Sequence, residues 1–286
     1  MAVCEVCFRH CRLGEGQRGF CGGRVCEGGR VVPLNYGRVT SMALDPIEKK
    51  PLSRFHPGSM ILSVGSFGCN LRCPFCQNYG ISWSDEAMSC GDSCGRVFPR
   101  ELAATAEYYR SEGNIGAAFT YNEPLIGWEY VRDAARLIHE AGMVNVLVSN
   151  GTAEPAILEE LLPYIDAMNI DLKSFSEECY RKTLGGDLGA VKRFIARAVQ
   201  SCHVELTTLI VPGLNDDEEE LRRMTEWIAS LTDAEGKEIG RGIPLHISRF
   251  FPRYKMNDRP PTKTQLIYRF AEIAREQLEY VYTGNC

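Results

Sequence analysis

The chemistry this chain offers lies in its cysteines, and they are not scattered. Thirteen occur in 286 residues. Cys69, Cys73 and Cys76 fall in one short string, Gly68-Cys69-Asn70-Leu71-Arg72-Cys73-Pro74-Phe75-Cys76-Gln77-Asn78. Cys4, Cys7, Cys11 and Cys21 form a second group, with Cys26 close by, and Cys90 and Cys94 follow. Only Cys179, Cys202 and Cys286 stand alone. Thiolates are soft ligands that suit zinc or iron–sulfur clusters. A structural zinc site or an ordinary four-iron cluster takes four protein ligands. The 69–76 string supplies three, and a cubane held by three thiolates keeps one iron open to a substrate. A structural zinc knuckle is the plainer alternative. A ferredoxin is excluded by spacing, because the CxxCxxC run is absent and the chain far exceeds an electron carrier in length.

The elements around that string explain how it would be presented. Residues 1–58 are rich in Gly, Cys and Arg and poor in apolar periodicity, so they read as a small, loop-rich, metal-clipped region. Residues 59–286 read differently. Strands expected at 60–64, 117–121, 144–148, 167–172, 204–211, 244–247 and 280–282 alternate with helices at 101–110, 130–141, 153–162, 191–202 and 264–276. Asp216 is expected to cap a further helix running to Leu231. Such alternation predicts a parallel sheet of βαβ units, too few for a complete eight-unit barrel. Glu123, Ser149, Asn150, Asp171, Lys173 and His246 each fall at or near the C-terminal end of an expected strand. That edge is where parallel α/β folds bind ligands.

At the cysteine string the likeness becomes specific. Cx3CxΦC, with Phe75 as the aromatic, resembles the signature of the radical S-adenosylmethionine (SAM) superfamily. The resemblance implies a partial (β/α)6-type barrel and a [4Fe–4S] cluster on Cys69, Cys73 and Cys76. It also implies reductive SAM cleavage to a 5′-deoxyadenosyl radical that abstracts a substrate hydrogen. Thr120-Tyr121-Asn122-Glu123-Pro124 resembles the Gly-Gly-Glu-type motif whose carboxylate accepts from the SAM ammonium. Ser149-Asn150-Gly151 and Asp171-Leu172-Lys173 resemble the Thr-Asn-Gly turn and Asp-x-Lys motif of glycyl-radical activating enzymes. His246 matches their late SAM-contacting histidine, and Phe75 is expected near the adenine. Each has a plainer reading: a turn carboxylate, a surface ion pair, a satisfied core histidine. Val148 stands where activating enzymes often place a cation-binding Asp. The strings Asp45-Pro46-Ile47-Glu48-Lys49-Lys50-Pro51-Leu52, Phe55-His56-Pro57-Gly58-Ser59 and Tyr282-Thr283-Gly284-Asn285 resemble the AmmeMemoRadiSam-system enzymes, relatives of the pyruvate formate-lyase activating enzyme. That resemblance implies a flavodoxin- or ferredoxin-type electron donor, and either a protein substrate or the other proteins of that system as partners.

Cys4, Cys7, Cys11 and Cys21 match the same family's N-terminal pattern and suggest zinc, iron or a second cluster. Unligated thiols are the alternative, Cys26 could replace one of the four, and Cys90 and Cys94 could be further ligands. Lys49-Lys50 before Pro51 reads as a solvated connector, or as bearing on substrate or domain docking. An apolar fraction of 44% and a charged fraction of 24% are ordinary for a soluble domain. A net charge of −5 offers no global field for nucleic acid, short basic runs such as Arg249 to Lys255 aside. No apolar h-region opens the chain, and no stretch approaches a membrane helix. A cytoplasmic location follows as an expectation, and with it reduced thiols.

Overall fold

The structure, a computed structural model, describes residues 1–93 and 95–286, the side chains of 90–93 excepted; the Cys90 side chain and Cys94 therefore lie outside the described residues. Two short ribbons begin the chain. β1 (Ala2–Val3) pairs antiparallel with β2 (Arg12–Leu13), and β3 (Arg24–Glu27) with β4 (Arg30–Pro33). Then come β5 (Ser41–Pro46) and β6 (Met60–Gly65), followed by β7 (Asn114–Phe119), β8 (Val144–Ser149), β9 (Ala167–Asp171), β10 (His203–Ile210), β11 (Leu245–Arg249) and β12 (Val281–Gly284). From β6 to β12 every neighbouring pair is parallel and in chain order. This is the expected α/β sheet, and all seven expected strands occur in it. The sheet has two distinct edges, so it does not close.

An eighth strand was not expected. β5 joins the sheet antiparallel to β6, with Ser41 opposite Gly65 and Pro46 opposite Met60. Just before it, Arg38 makes only an isolated bridge to Arg96.

Helices α1 (Tyr79–Ser82) and α2 (Asp85–Ser93) follow the cysteine loop. The connections between strands then carry α3 (Pro99–Tyr108), α4 (Trp128–Glu140), α5 (Pro155–Leu161), α6 (Leu188–Ala198), α7 (Glu218–Ala229) and α8 (Thr264–Arg275). Each buries one stripe. In α4 it is Tyr130, Val131, Ala134, Ala135 and Ile138, the spacing of one helical face. The cap of α7 is Asp217, whose carboxylate accepts from the Glu220 amide. Asp216 instead accepts from the Gly213 amide, which corrects the expected cap by one residue.

The sheet's other face is covered by the chain itself. Ile61, Ala118, Val146 and Ala167 pack on Ile47 and Leu52, both fully buried, with Phe55 and Val148 alongside. The β5–β6 connection is therefore no solvated connector. Lys50 is only 2% exposed and pairs with Asp45 at 2.9 Å, while Lys49 is left 66% exposed. Asn169 donates to the Pro51 carbonyl at 2.8 Å. Glu205 accepts from the Ser53 and Arg54 amides. Turning a polar segment inward works because each inward polar group meets a partner.

Candidate functional site

The cysteine loop leaves the C-terminal end of β6, and a left-handed residue turns it. Gly68 has φ +90°, and a Cβ there would lie 2.7 Å from the Cys21 carbonyl oxygen, so no other residue fits without displacing the chain. The loop then binds its neighbours through backbone. Cys69 N–H donates to the Cys21 carbonyl (3.2 Å), Arg72 N–H to Leu184 and Lys255 N–H to Pro74. Arg72 stacks on Trp83 and Phe20, with ring-centroid distances of 3.0 and 3.9 Å, and donates back to the Cys69 carbonyl at 2.9 Å. Alternating cations and aromatic faces hold the loop from outside.

Cys69, Cys73 and Cys76 lie within eight residues of one loop, near enough that ionising one would raise the pKa of another. Burial raises the pKa of all three, Cys73 to about 12. The Leu71 amide donates to Cys69 Sγ at 3.4 Å, and Asn150 Nδ2 approaches it at 3.7 Å. Among the described residues no three Cys, His, Asp or Glu side chains stand around a common point as metal ligands would. As a donor set, three neighbouring soft thiols fit an iron–sulfur group better than a hard cation.

Five of the predicted polar residues converge here. Glu123 follows β7 and is 2% exposed. It accepts from Ser149 Oγ (2.8 Å), the Asn150 amide (2.8 Å) and the Leu125 amide (3.1 Å). Burial pushes its pKa up to about 7 against the pull of those hydrogen bonds. With three donors on two oxygens, one acceptor position on Oε2 is left for a ligand. Asn150 reaches on to Asn70 Oδ1 at 2.9 Å, and Asn70 donates to Thr152 at 2.8 Å. Asp171 and Lys173 form an ion pair at 2.8 Å, and both are felt by the thiols of Cys73 and Cys76. Burial would lower the Lys173 pKa, but the charges of Asp171 and Cys73 outweigh it and the lysine stays charged. The pair is half-buried, with the Lys173 side chain 17% and the Asp171 side chain 34% exposed.

His246 and Phe75 are each engaged by the fold. His246 is in register with Thr207, itself beside Asp171, so it stands two strands from Asp171, about 10 Å away. Its Nε2 meets Glu205 at 2.6 Å and its ring stacks on Tyr282. The imidazole is thus satisfied inside the sheet, the plainer of the two readings. Phe75 is 4% exposed and belongs to the main core.

A description of the Radical SAM superfamily matches residues 63–225, more than half of the chain. The chain belongs to the radical SAM superfamily. It is 38% identical to an uncharacterized protein of Methanocaldococcus jannaschii over 286 residues, covering 99% of this chain and 80% of that one. It is 24% identical to the pyruvate formate-lyase 1-activating enzyme of Escherichia coli K12 over 182 residues, 63% of this chain and 71% of that one. Streptococcus suis SuiB bound to S-adenosylmethionine shares the fold, with a TM-score of 0.58 at 12% identity over 79% of this chain and 52% of that one. Membership of the radical SAM family implies a [4Fe–4S] cluster, SAM and a reductant of flavodoxin or ferredoxin type.

Several residues of the site carry no motif of their own. Asn70 and Arg72 occupy spacer positions between Cys69 and Cys73. Tyr121 is held at φ +74° after β7, with its ring packed over Gly65 and its hydroxyl donating to Asp45 at 2.8 Å. A bulky residue in the left-handed region is a strained one, and it ties the site's rim to the buried Asp45–Lys50 pair. Among the described residues no helix is long and apolar enough to cross a membrane.

Proposed function

We propose that this chain is a radical SAM enzyme in which Cys69, Cys73 and Cys76 hold a [4Fe–4S] cluster with one iron free for SAM. The observation that carries the reading is the meeting of three half-buried thiols with Glu123, Ser149, Asn150, Asp171 and Lys173 at one edge of a parallel sheet. When bound, the cluster supplies the electron that splits SAM into methionine and a 5′-deoxyadenosyl radical. The chain's own residues bind and orient. Glu123 Oε2 offers its remaining lone pair to an ammonium. The Asp171–Lys173 pair presents both charges to the amino-acid end of a zwitterion. Asn150 holds Cys69 and Asn70 in place. Burial of the loop keeps water from the reacting centre.

Hydrogen is abstracted from a substrate still to be identified. The likeness to the pyruvate formate-lyase 1-activating enzyme favours a glycyl residue on a partner protein as one target. The 45–52, 55–59 and 282–285 strings favour the AmmeMemoRadiSam group and its companion proteins as the other.

Anaerobically reconstituted protein given dithionite and SAM should release 5′-deoxyadenosine, and Cys73→Ala should not. A fully iron- and sulfide-loaded preparation that leaves SAM intact would refute the reading. A glycyl electron-paramagnetic signal on a candidate partner, present or absent, separates the two substrate classes.

A further inference from the structure

We propose that Cys4, Cys7, Cys11 and Cys21 hold a single thiophilic metal ion, and that this ion fixes the backbone of the Cys69–Asn70 segment. The four thiols line one small cavity with Arg9, Asn70 and Ile126. Cys4, Cys7 and Cys21 are buried, at 6, 7 and 7% exposure. Two turns bring them there. The Cys4 amide donates to the Cys11 carbonyl at 2.9 Å across the β1–β2 ribbon, and the His10 amide to the Cys7 carbonyl at 3.1 Å. Cys21 arrives from the turn before β3, where the Gly22 amide donates to Gly19. Cys26 does not line the cavity. It lies on β3 opposite Val31, which removes it as an alternative ligand.

The cavity's size decides the kind of occupant. Its volume is about 10 Å³, the lower limit for one water molecule. That is the room of a single ion. The wall exposes carbon and sulfur rather than oxygen or nitrogen, so a water there would lack the two to four partners it needs. A thiophilic divalent ion such as zinc or ferrous iron has its partners in the four sulfurs. The thiols do not yet stand around one point. They close when the ion displaces their protons, as metal binding to cysteine requires. The bonds written are four metal–sulfur bonds, with the thiol protons released to solvent and no change of oxidation state.

The second half of the proposal follows from what touches these cysteines. The Cys21 carbonyl accepts the Cys69 amide, so a ligand of one set is one hydrogen bond from a ligand of the other. Arg9, between Cys7 and Cys11, donates through Nε to the Asn70 carbonyl at 2.8 Å and through its other arm to Gly185. Asn70 also bonds the Cys7 side chain. Cys7 itself bridges Ala153, just past the Ser149–Asn150 turn. An ion that fixes Cys7 and Cys21 therefore fixes Cys69 and Asn70 from two sides.

The test uses the full chain with Cys69, Cys73 and Cys76 all changed to Ala, so that the other set cannot contribute metal. Elemental analysis of protein from zinc- or iron-supplemented cultures should find about one ion per chain. Visible thiolate-to-iron absorption separates the two sources. Adding Cys7→Ser or Cys21→Ser should cut the metal at least tenfold, and Cys26→Ser should leave it. Hydrogen exchange of the peptide spanning residues 68–72 should quicken roughly tenfold on stripping the ion, with residues 264–275 unchanged. A folded triple variant with neither metal, whose N-terminal cysteines alkylate as fast as exposed Cys286, would overturn the site. So would several irons with sulfide. Unaltered exchange at 68–72 on stripping would overturn the coupling. None of these readouts depends on SAM cleavage, so the ion can fail while the proposed reaction stands, or the reverse.

Discussion

Replacing Glu205 by Gln tests how the inward-turned 47–55 segment is held. The Glu205 side chain is fully buried, and its two oxygens divide four donors evenly. Oε1 takes the Arg54 amide at 2.7 Å and His203 at 3.0 Å; Oε2 takes the Ser53 amide at 3.0 Å and His246 at 2.6 Å. Burial alone would raise its pKa, but these bonds more than reverse that and hold it at about 2, against 4.5 for a free carboxyl. At about 1.4 kcal/mol per pH unit, the ionised carboxylate contributes about 3 kcal/mol to folding. A depressed carboxyl gives that stability above its unfolded pKa and loses it as pH falls toward its folded one. About 2 kcal/mol of it should go between pH 5 and pH 3. Gln keeps the shape but must turn an NH2 toward one of two backbone amides, stranding a buried donor at a further cost of about 1–3 kcal/mol. Urea unfolding of both proteins should show a gap of at least about 3 kcal/mol at pH 6, narrowing by about 2 kcal/mol between pH 5 and pH 3. A gap of constant size over that range would refute the reasoning, because the penalty would then owe nothing to the carboxylate's charge.

Three further outcomes are expected. Lys50→Met leaves the largely buried Asp45 with only Tyr121 and the exposed Lys49, and should cost about 1–3 kcal/mol, while Lys49→Met should stay within about 0.5 kcal/mol; equal midpoints in thermal unfolding would count against the buried pair. Gly68→Ala forces a Cβ to within 2.7 Å of the Cys21 carbonyl at φ +90° and should cost about 1–3 kcal/mol, with iron incorporation falling alongside; wild-type loading and stability would show that the loop relaxes freely. Asp217→Ala should cost about 1 kcal/mol through loss of the α7 cap, and Asp216→Ala clearly less; the reverse ranking in urea would restore Asp216 as the cap.

The sheet was legible because its signal is repeated. Seven strands each separated by an amphipathic helix leave little choice but a parallel sheet, and all seven occur. What stayed hidden breaks the repeat. β5 precedes the first βα unit and runs antiparallel, so no alternation announced it. The 47–55 segment is polar and reads as surface by composition. Its burial is intelligible only with distant partners in view: Asp45 for Lys50, Asn169 for Pro51, Glu205 for Ser53 and Arg54. One clue was available. Glu205 sits mid-strand between Val204 and Leu206, and a carboxylate in a buried strand demands donors from somewhere.

The site divides along the same line. Spacing singled out the cysteines, and strand ends singled out Glu123, Ser149, Asn150, Asp171 and Lys173 as candidates, because those signals are local. For His246 the sequence did not say which neighbour holds the imidazole; Glu205, 41 residues earlier, does. The residues that fasten the cysteine loop were unreadable for a more general reason. Asn70 bonds Cys7, Arg9, Asn150 and Thr152, four partners from two distant stretches of chain. A motif records only the ligands, and the positions between them are written as arbitrary. In this chain the residue between two of the cysteines is where the N-terminal cysteines and the Ser149–Asn150 turn meet, so the spacer is as constrained as the cysteines it separates.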